Sequence, residues 1–250
     1  MARTRKHKGP LHHLLKWFKP DANSTEKIPT MARDPSRIGK IPLKISITES
    51  REELINETDN AIEDIQIFSD SSALEGMVGA AVILTHQGRH IWTLHYHLGP
   101  DAKHTVHKAK MVGLLLGLHM LNSTKYRSLP AIIGIDNQAA IKALASDLRS
   151  PGHHLVREAL CIASSIEKAK KRKARNKATL TIYWTAGHKG IEGNELADIE
   201  AKEVTKGRTL DTKQLPHYLR KPLPTNPSAV KKAHNNKLKR EWQEDWKNSE

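Results

Sequence analysis

Cysteine is nearly absent: Cys161 is the single one in 250 residues. An intrachain disulfide and a cysteine-built zinc site are therefore excluded, and the usage suits a reducing compartment. Flanked by Leu160, Ile162 and Ala163, this thiol is expected on the buried side of a helix. Long apolar runs are missing too. No stretch approaches the roughly 20 residues of a membrane-spanning helix, so no membrane partner is expected. Behind the basic start Met1-Ala2-Arg3-Thr4-Arg5-Lys6-His7-Lys8 there is no apolar core of a secretory signal. An intracellular location is expected, in nucleus or cytoplasm. Acid is also short: 27 Asp and Glu face 41 Lys and Arg, for a formal net charge of +14. That surplus favours a polyanionic partner, nucleic acid before an acidic membrane surface. No internal repeat is visible, and nothing in the sequence speaks to oligomeric state.

Residues 1–60 hold little pattern. Leu11, Leu14, Leu15 and Phe18 fall at helical spacing, but Pro20, Pro29, Pro35 and Pro42 break any regular element over 19–44. This part reads as a basic arm and linker with short helices, one near 11–18 and one over 50–59. From Ile65 the pattern changes. Ile65-Gln66-Ile67-Phe68 runs into Asp70-Ser71-Ser72, which reads as a strand over 65–70 delivering an acid to the edge of a site. Strands over 79–84 and 90–98 come next, joined by a hairpin turn at Gln87-Gly88-Arg89. Thr105 caps a long helix to about 122, in which Gly113 and Gly117 allow close packing on a sheet. Ala131–Ile135 is a further apolar run that meets an acid, Asp136. Helices over 137–144 and 152–170, a strand over 179–185, a glycine-rich loop and a helix over 195–206 complete the series. This order implies an α/β domain with a mixed sheet over about 61–206. Residues 207–250 read as a proline-containing linker and a basic C-terminal helix carrying Trp242 and Trp246 on one face.

Asp70 and Asp136 each end a strand, and strand ends are where α/β sheets bind ligands. Two carboxylates brought together repel unless a cation lies between them. A second reading stands for Asp136: an acid at that position also suits a helix cap. The stretch Gly187-His188-Lys189-Gly190-Ile191-Glu192-Gly193-Asn194-Glu195-Leu196-Ala197-Asp198 presents a histidine from a glycine-rich loop. It then enters a helix on which Asp198 lies about one turn beyond Glu195. A loop histidine beside carboxylates suits proton transfer or product release.

Together, the strand ending in Asp70-Ser71-Ser72, the run Gly134-Ile135-Asp136-Asn137-Gln138-Ala139-Ala140 and the His188-to-Asp198 stretch resemble the motifs of the type 1 ribonuclease H family. The resemblance is closest to the domains that end fungal non-LTR retrotransposon reverse transcriptases, and it covers about 65–206. Flanking segments, Arg5 to His12 and Ser228 to His234, resemble those on either side of such a domain. With no polymerase segment present, a terminal piece of such an element is expected. The resemblance implies a ribonuclease H-like α/β fold, a mixed five-stranded sheet flanked by helices. It implies hydrolysis of the RNA strand of RNA–DNA hybrids, with four carboxylates holding two Mg²⁺ ions, or Mn²⁺. By this match Asp70, Asp136 and Asp198 are catalytic and metal-ligating, the first, third and fourth acids. His188 matches the catalytic loop histidine. Ser71, Ser72, Asn137, Gln138 and Asn194 fall at nucleic-acid-contacting positions, and Glu195 lies beside Asn194 where the last helix begins.

One acid departs. The family carries a glutamate early in the long helix, and Thr105-Val106-His107-Lys108-Ala109-Lys110-Met111 puts Lys110 there, with Lys108 in place of another nearby acid. At about 4 Å and an effective dielectric of 20 a unit-charge pair is worth roughly 4 kcal/mol. The exchange reverses an interaction of that size and removes an oxygen that Mg²⁺ needs. Lys110 is expected instead to reach Asp70 or Asp136, with its own charge in the metal's place. Ser71 also stands where glycine is usual. Three functions remain open: an impaired hybrid ribonuclease, an inactive nucleic-acid-binding module, or a decayed retrotransposon fragment. The basic run 168–175 suits phosphate contact, a solvated helix end or a nuclear localisation signal, and spacing does not separate these. Trp92 and Trp184 are expected in the core.

Overall fold

The computed structural model describes residues 24–27, 43–47, 64–145, 151–173, 180–185 and 191–249. The short helices expected near 11–18 and 50–59 lie outside the described residues. Within them the chain forms strands β1 (Lys44–Ser46), β2 (Ile65–Leu74), β3 (Met77–His86), β4 (Arg89–Pro100), β5 (Ala131–Ile135) and β6 (Leu180–Trp184). Its α-helices are α1 (Val106–Ser123), α2 (Gln138–Ala145), α3 (His153–Lys173), α4 (Glu192–Thr205) and α5 (Pro227–Lys247).

Strands β2, β3 and β4 run antiparallel through two tight turns, at Glu75-Gly76 and Gln87-Gly88. All four turn residues have positive φ, between 50° and 75°, the twist that two-residue hairpins require. The helices then carry the chain across the sheet, so β5, β6 and β1 add in parallel on the other side of β2. The full order is β1-β6-β5-β2-β3-β4. This is the mixed-sheet α/β layer implied by the element order, with one strand more than the expected five. The extra strand, β1, is three residues long, too short to show alternation beside Pro42.

β2 is longer than its sequence suggests. Asp70 lies inside it rather than at its end, because β3 supplies Ala81, Ala80 and Gly79 as partners for Asp70, Ser71 and Ser72. Only the parallel pairing with β5 stops at Ser69↔Ile135.

Side chains alternate along β2. Ile65 and Ile67 enter the main core, and Phe68 enters a smaller one with Ile83 and Ala197. α1 lies over the first face and is buried around most of its girth, since α3 covers its back with Leu155, Ala159, Ala163 and Ile166. Each Leu or Ile buried there contributes about 1.5–3 kcal/mol. Gly113 lets α1 approach this closely: a Cβ at that position would lie 2.1 Å from Ser69 Oγ. α4 covers the opposite face. Leu215, Leu219 and Leu223, after α4, also join the main core. Trp92 and Trp184 pack against it as expected. Cys161 is a correction: it is exposed, because α3 turns the 155, 159, 163, 166 stripe inward and leaves position 161 facing out.

Candidate functional site

Where the β2–β5 pairing ends, the next residues on the two neighbouring strands are Asp70 and Asp136. Asp70 is 2% exposed, and its Oδ1 accepts the Ser71 N–H at 2.6 Å. Asp136 follows β5 with its side chain 8% exposed. Its Oδ2 accepts a hydrogen bond from the Lys110 ammonium. Its Oδ1 is buried with no hydrogen-bond partner among the described residues. Lys110 comes from near the start of α1, where the Thr105 side chain accepts the Lys108 N–H at 3.2 Å and fixes the helix entry.

Asp198 approaches from the other face. It sits on α4 and accepts a hydrogen bond at 2.6 Å from Lys202, one turn further on. The Lys202 ammonium is held above its ordinary pKa by the hydrogen bond and charge of Asp198, and then by the charge of Asp70. α4 comes this near the sheet because Gly193 lies on the Phe68 ring, where a Cβ would meet the ring at 2.2 Å. Asn194, the next residue, is buried. Its N–H bonds the Ile191 carbonyl at 3.0 Å, and its Oδ1 has no partner among the described residues.

The remaining sequence-derived positions are less central. Asn137 Oδ1 accepts the Ala140 N–H at 2.8 Å, so Asn137 and not Asp136 caps α2. That removes the cap as an explanation for Asp136 and commits the Asn137 oxygen to the helix. Gln138 is half-buried in the first turn of α2. Ser71 and Ser72 are half-buried in β2, and the Ser71 hydroxyl lacks a partner among the described residues. His188 lies outside the described residues.

Lys108 has a different part from Lys110. It is 1% exposed and donates to the Pro224 carbonyl. Burial pushes its pKa down to about 8, against the opposing pull of Glu26. Glu26 centres a buried network that sequence reasoning missed. It accepts from the Gly152 N–H, lies 3.1 Å from His154 Nδ1, and accepts from Asn226 Nδ2 at 3.4 Å. Burial pushes its carboxyl up, but the His154 and Gly152 hydrogen bonds outweigh that and hold it below its ordinary value. These partners lie far apart along the chain, so no local pattern announces them.

A two-metal centre needs oxygen ligands around each ion. Here Asp136 already holds one ammonium, Asp198 holds another, and the position of the second acid is Lys110 itself. Among the described residues no three His, Cys, Asp or Glu side chains are arranged to hold a metal ion. The donor set does not fit two divalent ions. Two of its three carboxylates are each paired with an ammonium.

The chain matches no family model and no curated protein sequence. Among solved structures it is similar to ribonuclease H1 from the halophilic archaeon Halobacterium salinarum NRC-1, at 15% identity over 58% of this chain and 98% of that one, with a TM-score of 0.40. It is similar to LC11-RNase H1, isolated from compost and solved in complex with an RNA/DNA hybrid, at 15% identity over 57% of this chain and 97% of that one, with a TM-score of 0.42. It is also similar to the foamy viral protease–reverse transcriptase in complex with an RNA/DNA hybrid, at 15% identity over 58% of this chain and 20% of that one, with a TM-score of 0.44.

Proposed function

We propose that the chain is a type 1 ribonuclease H domain that binds RNA–DNA hybrid and has little or no hydrolytic activity. The observation that carries this reading is the Lys110–Asp136 ion pair. An ammonium supplies positive charge but neither the Lewis acidity nor the activated water of a bound metal. The ordered motifs around Asp70, Asp136 and Asp198 support descent from a hybrid nuclease. So does the register that sets Asp70 beside Asp136. The net charge of +14 supports retained affinity for a polyanion. A relationship to the ribonuclease H domains of fungal non-LTR retrotransposon reverse transcriptases, which rests on the motif resemblance, and a nuclear or cytoplasmic location belong to the same proposal.

The test uses a labelled RNA–DNA hybrid with Mg²⁺ or Mn²⁺. It compares the chain as it stands with Lys110→Glu and with Lys110→Glu/Asp70→Asn. The expected result is salt-sensitive binding by all three and no cutting by the unaltered chain. Cutting gained by Lys110→Glu and lost again with Asp70→Asn would trace the inactivity to that one exchange. Turnover by the unaltered chain, abolished by Asp70→Asn alone, overturns the inactivity. Absence of salt-sensitive hybrid binding overturns the binding role.

A further inference from the structure

Helix α5 begins where Asn226 Oδ1 accepts the N–H groups of Ser228 and Ala229, at 2.8 and 3.3 Å, with Pro227 in the first turn. Ala229 is its one buried residue. Beyond it the helix stands in solvent with Trp242 64% and Trp246 63% exposed. Large aromatic side chains left in water mark an interaction surface. The two indoles pack on each other, with ring centroids 5.8 Å apart and planes 34° apart.

One sector of this helix holds no acid, although Lys237, Arg240 and Lys247 place cations on its other sides as well. At roughly 100° per residue, Lys231, Asn235, Lys239, Trp242 and Trp246 fall within a sector of about 80°, and Lys232 lies at its margin. No acid lies in that sector. Glu241 and Glu244 lie on the far side and Asp245 about 40° outside the sector; Glu241 is engaged by Lys237 at 3.5 Å. From Lys231 to Trp246 the face is about 22 Å long. Leu238, 49% exposed and one turn before Trp242, adds an apolar side chain at the edge of this face, but a helix-pairing seam would also need apolar residues at the positions that Lys231, Asn235 and Lys239 occupy, which argues against a second helix as the occupant. Lysines along the first half of the face, followed by two exposed, tilted indoles on its second half, suit a strand that offers both phosphates and exposed base faces. A duplex hides its base faces.

We propose that this face of α5 is a binding site for single-stranded nucleic acid. Bases stack on Trp242 and Trp246, and Lys231, Lys232 and Lys239 hold the phosphates. The site shares no residue with the Asp70–Asp136 region and does not depend on the function proposed for it.

The experiment measures binding of a labelled single-stranded oligonucleotide to the full chain by fluorescence anisotropy. Trp242→Ala/Trp246→Ala is expected to weaken binding about tenfold or more. Trp242→Phe/Trp246→Phe, which keeps a stacking ring, is expected to retain most of it. Lys231→Gln/Lys232→Gln/Lys239→Gln is expected to reduce the slope of log affinity against log salt by about 2. Binding unchanged in the Trp→Ala variant, with helix content equal by circular dichroism, overturns the proposal. It is equally overturned if the unaltered chain sediments as a dimer that the Trp→Ala variant dissolves while single-strand binding persists. Hybrid binding that fails while single-strand binding holds rejects the reading of the Asp70 region and leaves this one intact.

Discussion

Lys110, near the start of α1, donates a hydrogen bond to Asp136, the residue after β5, with side chains 15% and 8% exposed. Removing one partner strands a charge that has already left water. Lys110→Met is therefore expected to destabilise the domain by about 2 kcal/mol, less than a fully buried pair would lose because both groups keep some solvent contact. Lys110→Met/Asp136→Asn is expected to recover part of that loss. Urea unfolding of the four proteins in a double-mutant cycle measures the coupling. A coupling near zero would reduce the pair to an ordinary surface contact.

Gly193 holds α4 against the Phe68 ring, with no room for a Cβ at 2.2 Å. Gly193→Ala is expected to cost about 1–3 kcal/mol through displacement of the helix or the ring. Gly193→Ala/Phe68→Leu should regain part of it by opening the contact. Thermal unfolding of both variants checks this, and additive losses would show that the clash lies elsewhere.

Strand and helix order was legible because each element declares itself over a few residues. Ile65 to Phe68 and Ala131 to Ile135 are compact apolar runs, and glycines mark the hairpin turns between β2, β3 and β4. The end of β2 was not legible. Asp70-Ser71-Ser72 looks like a strand stop, and only the pairing with Ala81, Ala80 and Gly79 keeps it extended. Lys110 could be singled out because the motif resemblance implies a glutamate at its position early in the long helix. Which acid it reaches depends on how β5 sits beside β2, a tertiary fact. The choice between Asp136 and Asn137 as the α2 cap turns on side-chain direction, which residue type does not settle. The Glu26 network was invisible for the strongest reason. Its partners Gly152, His154 and Asn226 are brought to it only when the whole domain is folded.

That network ties an N-terminal segment to the segment before α5. Glu26 N–H bonds the Thr225 carbonyl at 2.9 Å, and Thr225 N–H bonds the Ser24 carbonyl at 2.6 Å. Glu26→Ala leaves the Gly152 N–H without its acceptor and removes the counter-charge of buried Lys108. A loss of roughly 3 kcal/mol is expected. Protease sensitivity should rise around residues 24–27 and 224–226 before the rest of the domain. Adding Lys108→Met should recover stability, because it deletes the charge left unbalanced. If Glu26→Ala unfolds no earlier than the parent chain, the carboxylate is not holding these segments.

His104 sets a pH dependence of definite sign. Burial, then the positive charges of Lys108 and Lys103, push its pKa from 6.5 down to about 4. The folded protein resists a proton that the unfolded chain accepts near 6.5. Its contribution to stability is therefore complete above pH 6.5 and is lost as pH falls toward 4, on the order of 3 kcal/mol in all. His95, His107 and His119 are also depressed by burial and act in the same direction. Glu26, held below its ordinary value, adds a loss at the acid end of the range. Urea unfolding at a series of pH values from 7.5 to 4.5 should show stability falling steadily below about pH 6.5. His104→Asn, which carries no titrating group, should flatten that fall even if it lowers stability at neutral pH. A parent profile that stays level from pH 7.5 to 5 would show that His104 takes up its proton in the fold as readily as in the unfolded chain.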